Sequence, residues 1–144
     1  TDSRYTFLDP AVQVNSAPNS FQLGATVGGR LPKTPAWKMN ISPRVDLPLG
    51  DNGAELSLIA DLTYTSAQRN NVEGTFVLNR PSTTVVNASI IFSAPEDRYS
   101  LTVGGTNLTN ARYVTSGSSI PASGVIDGTY SRPAEWYARV GFKF

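Results

Sequence analysis

Hydrophobic and polar residues alternate one by one along five stretches of this chain. From Ala134 to Phe144, Trp136, Ala138, Val140, Phe142 and Phe144 alternate with Glu135, Tyr137, Arg139, Gly141 and Lys143. That is the period-two signature of a strand lying between unlike media. From Ala36 to Leu49, Trp37, Met39, Ile41, Val45, Leu47 and Leu49 share a face opposite Lys38, Asn40, Ser42, Arg44 and Asp46. Pro43 removes one ladder hydrogen bond, yet the phase is the same on both sides of it. A missing bond is therefore expected, not a one-residue bulge. Ala54 to Ser66 puts Ala54, Leu56, Leu58, Ala60, Leu62 and Tyr64 on one face, with Ile59 the misfit. Ser82 to Phe92 does the same with Thr84, Val86, Ala88, Ile90 and Phe92, and Arg98 to Asn107 with Tyr99, Leu101, Val103 and Gly105.

The connections are of two kinds. Gly50-Asp51-Asn52-Gly53 predicts a tight hairpin turn whose glycines and Asn supply positive φ. In the short connection Ser93 to Asp97, Ala94-Pro95-Glu96-Asp97 predicts a type I turn with Pro95 in its favoured place. A four-residue turn at Gly50 sets Leu47 opposite Leu56, Val45 opposite Leu58, Ile41 opposite Leu62 and Met39 opposite Tyr64. Leu8–Pro35, Ala67–Pro81 and Leu108–Pro133 are rich in Pro, Gly, Asn, Ser and Thr and predict long loops, the first with room for a short strand at Phe21–Val27. Ser3–Phe7 resembles the end of a strand, so the chain starts in mid-pattern, as a fragment or processed piece would.

Across the five strands the apolar face carries no charge, whereas the other face carries Lys38, Arg44, Asp46, Glu55, Asp61, Arg98, Glu135, Arg139 and Lys143. Long loops alternate with tight turns, the two-ended asymmetry of an outer-membrane barrel. A strand of about eleven residues, rising roughly 3.3 Å each and tilted about 45°, climbs roughly 26 Å, the height of the apolar band such barrels present to lipid. With the long loops uppermost, Trp37, Tyr64 and Trp136 form an upper aromatic girdle and Phe92, Tyr99, Phe142 and Phe144 a lower one. The expected fold is all-β: an antiparallel transmembrane β-barrel segment that this chain alone does not close. Its expected place is the Gram-negative outer membrane, in contact with the lipid bilayer, with the long loops outside and the C-terminus in the periplasm. Two other readings stay open, a soluble β-sandwich binding module and a passive porin or adhesin barrel.

Composition narrows the chemistry. The 144 residues contain no Cys and no His, which removes disulfides, the usual zinc sites and Ser-His-Asp or Cys-His catalysis; no enzyme is expected, and no cofactor. A net charge of +1, with 16% charged residues, leaves no footprint for nucleic acid. No apolar run is long enough for a membrane helix, so any crossing is by strands. Asn107-Leu108-Thr109, Asn87-Ala88-Ser89 and Asn40-Ile41-Ser42 match the glycosylation sequon by chance, and Gly24–Gly29 lacks the Gly-Lys-Ser/Thr ending of a phosphate loop. Asp46, Glu55 and Asp61 fit partners for Arg44, Arg139 or a lumenal domain better than a catalytic cluster. Arg69, Arg112, Tyr113, Tyr130 and Arg132 lie in or beside the long loops and are the candidate substrate-facing residues.

Three segments resemble the C-terminal part of the TonB-dependent outer-membrane receptors. Gly29-Arg30-Leu31-Pro32-Lys33-Thr34-Pro35 resembles the family's passage from loop to descending strand. Asn107-Leu108-Thr109-Asn110-Ala111-Arg112-Tyr113 resembles its Asn-Leu-x-(Asp/Asn)-x-x-Tyr segment, and Arg132-Pro133 followed by Gly141-Phe142-Lys143-Phe144 resembles its terminus. The resemblance implies a plugged barrel of about 22 strands, of which this chain supplies about the last five. It also implies uptake of a scarce bulky nutrient such as a siderophore complex. The implied partners are the rest of the barrel, its N-terminal plug, the TonB complex and the barrel-insertion machinery. Val140, Phe142 and Phe144 resemble the terminal assembly signal that such barrels offer to that machinery.

Overall fold

The computed structural model describes residues 3–9, 25–120 and 123–143, which form two compact units. Met39–Tyr64, Thr84–Ala111 and Arg132–Phe144 make a sheet unit; Thr1–Lys38, Thr65–Thr83 and Arg112–Ser131 make a loop unit. The fold is all-β and antiparallel, with no α-helix among the described residues. The strands are β1 (Lys38–Ile41), β2 (Arg44–Pro48), β3 (Glu55–Thr65), β4 (Thr83–Ser93), β5 (Tyr99–Thr106), β6 (Val114–Ile120), β7 (Val125–Tyr130) and β8 (Glu135–Phe142). The main sheet runs β1–β3–β4–β5–β8, with β2 also on β3, and it is open at both edges.

Pro43 splits the first expected strand into β1 and β2, and the phase holds across the break. Leu47 lies opposite Leu56 and Val45 opposite Leu58. Asn40 still reaches Thr63, at 2.9 Å, so the gap adds no residue to either side. The Pro43 carbonyl even accepts from Ala60 N–H at 3.0 Å; only the donor that proline lacks is missing from the ladder.

Both tight turns differ in detail from the expectation. Gly50 and Gly53 have φ of 77° and 82°, but Asn52 does not adopt positive φ. Its side chain instead accepts from Ala54 N–H at 3.1 Å, closing the turn as an Asx turn does. In the second turn Glu96 and Asp97 both have φ of 56°, so it is not type I, which needs a right-handed third residue. The stretch Leu108–Pro133 is not all loop. β6 and β7 form a hairpin within it, in a sequence of Ser, Gly and Thr whose alternation is too weak to read. Ala67–Pro81 likewise holds a 3-10 turn at Phe76–Leu78. Residues 25–27 form no strand, and the remainder of the Phe21–Val27 expectation lies outside the described residues. In Ser3–Phe7 there is no extended strand: Arg4 forms an isolated bridge to Arg30, and Tyr5 bonds through its backbone to Gly28 and Gly29.

One face of the main sheet is uncovered and apolar. Ladder partners on that face are Ile90 and Val103, Phe92 and Leu101, Leu101 and Val140, and Tyr99 and Phe142. All of these but the half-buried Phe92 stay exposed, Ile90 at 50% and Val140 at 58%, as does Trp136 on the same face at 74%. The opposite face is a hydrogen-bonded polar layer. Asp61 accepts from Asn40 and Ser42 at 2.9 and 2.7 Å, and Asp46 accepts from Arg44 and Ser57 at 2.9 and 2.6 Å. Burial inverts the usual order, for Ser57 is 4% exposed while its neighbour Leu58 is 38% exposed. Among the described residues no large side chain is fully buried, and the buried apolar residues are small or isolated.

Glycines let the inner strands close up. Gly104 faces Tyr137, whose ring lies over it; a Cβ at Gly104 would stand 2.7 Å from the Tyr137 hydroxyl and 2.8 Å from the Ala88 carbonyl. An aromatic side chain laid across a bare glycine restores the packing that the glycine gives up. Gly104→Ala is therefore expected to destabilise the sheet by about 1–3 kcal/mol, as overpacking does. In a denaturation double-mutant cycle, Tyr137→Ala should recover part of that loss. Strict additivity of the two changes would refute the interlock.

Candidate functional site

The long connections carry more order than their composition implies. In the loop unit, Asn70 is 5% exposed, and its side-chain amide donates to the carbonyls of Leu78, at 2.8 Å, and Val114, at 2.7 Å. One residue thus ties the 3-10 turn to the start of β6. Leu78, 3% exposed, fills the space left where Gly117 and Gly128 face each other in the β6–β7 hairpin. A Cβ on Gly117 would come within 2.6 Å of Leu78 Cδ2. Gln68 and Arg80 exchange backbone hydrogen bonds at 3.0 Å, and Lys33 N–H donates to the Arg69 carbonyl at 2.7 Å. At the hairpin's far end Ser118 N–H and Oγ both donate to Asp127, at 2.8 and 2.7 Å, and these bonds hold its carboxyl below the ordinary aspartate range.

The candidate residues fall in different surroundings. The Tyr113 ring lies 3.7 Å beneath the guanidinium of Arg80, a cation–π stack, and Tyr113 exchanges hydrogen bonds with Ser131. Tyr130 is exposed, opposite Val114. Arg112 is exposed just before β6. Arg69 is exposed and lines a pocket of about 170 Å³ with Arg30, Leu31, Thr34, Ala67, Gln68 and Asn79. Arg132 belongs to the sheet unit, where its carbonyl accepts from Asn107 at 2.8 Å. The candidates do not gather into one site. Asn70, Leu78, Arg80 and Asn79 were not legible as partners, because each works through a contact remote in sequence.

Asn107 and Asn110, from the Asn107–Tyr113 segment, have a clear structural task in the sheet unit. Asn107, at φ 50° and 8% exposed, donates from its side chain to Ala111 O and Arg132 O and accepts from Ala111 N–H. Its own N–H donates to Asn87 Oδ1 at 2.9 Å. Asn110, at φ 48°, accepts from Ala134 N–H. Asparagine tolerates the left-handed backbone and supplies these bonds locally. The exit of β5 and the start of β8 are thereby fixed to each other.

The carboxylates do not converge. Asp46 and Glu55 share Ser57, while Asp61 sits in a separate network with Asn40, Ser42 and Thr63. No group of acids among the described residues is placed to hold a metal ion. The aromatic sets are partly brought together: Phe92 and Tyr99 lie 6.0 Å apart, with Phe142 opposite Tyr99, all at the short-turn end of the sheet. Trp136 is at the other end, against Gly105, and Tyr64 lies near the corresponding end of β3. Trp37 belongs to the loop unit, where it pairs with Ser66. Val140 and Phe142 lie on the exposed edge strand β8; Phe144 is outside the described residues.

Asn70→Ala should leave two buried carbonyls without a donor and cost about 1–3 kcal/mol, and Gly117→Val should displace Leu78. Both are read as faster amide exchange across 68–80 and 114–130 with the sheet amides unchanged. Unchanged loop exchange would show that the Asn70 bridge does not hold the unit together.

Compared with known proteins, the chain matches no family model, no curated protein and no solved structure.

Proposed function

We propose that this chain is a C-terminal wall segment of an outer-membrane β-barrel, in a TonB-dependent receptor that takes up a scarce, bulky nutrient such as a siderophore complex. The observation that carries the membrane part is the inverted sheet. An uncovered face of Leu, Ile, Val and aromatic side chains, free of charge, backs onto a polar layer satisfied by its own hydrogen bonds. Water disfavours such a face, whereas hydrocarbon leaves it at no disadvantage. A soluble sandwich of this length buries a core of large side chains between two layers, and the described residues contain none.

The receptor part rests on the three sequence segments and on the work that Asn107 and Asn110 do between β5 and β8. Both sheet edges expose backbone donors and acceptors, which within hydrocarbon must be paired. On this reading further strands of the barrel pair with β8 and with β1 and β2, and the polar layer faces a lumenal plug. Val140, Phe142 and Phe144 then lie where an insertion machinery pairs with the terminal strand. A passive porin or adhesin has the same wall; a plug-like domain encoded upstream separates the two.

Fractionation tests the reading. The protein is expected in the outer-membrane fraction, extracted only by detergent, and recovery in the soluble periplasm would overturn it. The facing is tested by charge. Arg at Leu58 should cost roughly 2–4 kcal/mol in refolding into lipid vesicles. Arg at Ser57, within reach of Asp46 and Glu55, should cost much less. Equal losses at the two positions would contradict the assignment.

A further inference from the structure

We propose that Asn52 is a site of spontaneous deamidation, at which the Gly53 backbone nitrogen attacks the Asn52 side-chain carbonyl and water then opens the cyclic imide to aspartate or isoaspartate. Asn52-Gly53 is the one Asn-Gly pair in the sequence. Both residues are exposed in the turn between β2 and β3, within the sheet unit, and the proposal holds whether or not the sheet spans a membrane. The space beside Gly53 is open, for a Cβ there would meet nothing within 4 Å.

The Asx turn brings the reacting groups together. Asn52 Oδ1 accepts from Ala54 N–H at 3.1 Å, and the ring that this bond closes contains both Asn52 Cγ and the Gly53 nitrogen. The side-chain carbonyl is thus folded over the peptide that attacks it and polarised by the bond it accepts. Among the described residues, Gly53 N–H and Asn52 Nδ2 meet no hydrogen-bond partner, so neither nucleophile nor leaving group is held back. In the reaction the Gly53 nitrogen gives its proton to solvent hydroxide and bonds to Cγ, and Nδ2 leaves as ammonia. Water then splits one of the two imide C–N bonds. Splitting the new bond yields aspartate; splitting the original main-chain bond yields isoaspartate, which carries the chain through Cγ and adds a methylene to the turn.

Other asparagines are guarded. The N–H that follows Asn107 donates to Val86 O at 2.7 Å, the one after Asn110 to Asn107 Oδ1 at 2.9 Å, and the one after Asn79 to Gln68 O at 3.0 Å. Asn70 commits its amide nitrogen to two carbonyls, and Asn71 commits both side-chain polar atoms to Thr75. Asn40 and Asn87 lie inside β1 and β4. An attacking nitrogen that is already a donor cannot be freed without first opening the fold.

Peptide mapping by mass spectrometry, on the intact folded protein incubated at neutral and at mildly alkaline pH, tests the assignment. Asn52 is expected to gain about one mass unit tenfold or more faster than Asn40, Asn70, Asn71, Asn79, Asn87, Asn107 or Asn110, as a mixture of aspartate and isoaspartate, and faster at the higher pH. The same incubation in urea should convert Asn52 at a rate within tenfold of the folded protein while accelerating the guarded sites. N52S should abolish the change in this turn and leave the other asparagines as they were. In the isoaspartate form, amide exchange at Leu49, whose N–H donates to Ala54 O at 2.8 Å, should quicken, with Ala60, bonded to Pro43 O at 3.0 Å, unaffected. The proposal is overturned if Asn52 in the folded protein converts no faster than the guarded asparagines, if folding slows it more than tenfold relative to urea, or if aspartate forms without isoaspartate.

Discussion

Everything in the sheet depends on the conservation of phase. A strand whose two faces meet different surroundings cannot slip by one residue without exchanging all of its side chains between them. This chain keeps phase through a proline, a four-residue turn and a left-handed turn, so that Val45, Leu58, Ile90, Val103 and Val140 share one face. Pro43 is tolerated because it removes a donor without adding a residue. The short turns likewise use glycine, Glu96 and Asp97 at positive φ, so the strands reverse with no extra length.

The inner strands then come close by alternating large and absent side chains. Gly104 receives the Tyr137 ring, and Gly105 lies beneath Leu108 and Trp136. Asn107 and Asn110 do with hydrogen bonds what these contacts do with surface, fixing where β5 ends and β8 begins. A long excursion of the chain between them therefore leaves the β5–β8 ladder unbroken from Tyr99 to Thr106. On the proposed reading, this lets a barrel carry large outer loops without loosening its wall.

The loop unit is organised by different means. Among its described residues few apolar side chains are buried, so its order comes from a buried amide, a leucine seated on two glycines and a stacked arginine. Asn70 replaces a core by joining two carbonyls that would otherwise need water.

How much was legible in the sequence followed the range of each interaction. The strands of the main sheet, their facing and the pairing of Leu47 with Leu56 and Val45 with Leu58 were determined by alternation and turn length, both local properties. The hairpin of β6 and β7 was not, because Ser, Gly and Thr alternate too weakly to mark a strand; pairing across the hairpin and the seat of Leu78 make it one. The details of both short turns also escaped, since Asn52 could supply either a backbone angle or a side-chain acceptor, and Glu96 was not an expected left-handed residue. Arg69, Arg112, Tyr113, Tyr130 and Arg132 could be named as loop residues. That Tyr113 stacks under Arg80, that Arg132 goes with the sheet and that Arg69 shares a pocket with Asn79 was decided only by tertiary structure, because each depends on contacts whose partners no local pattern links.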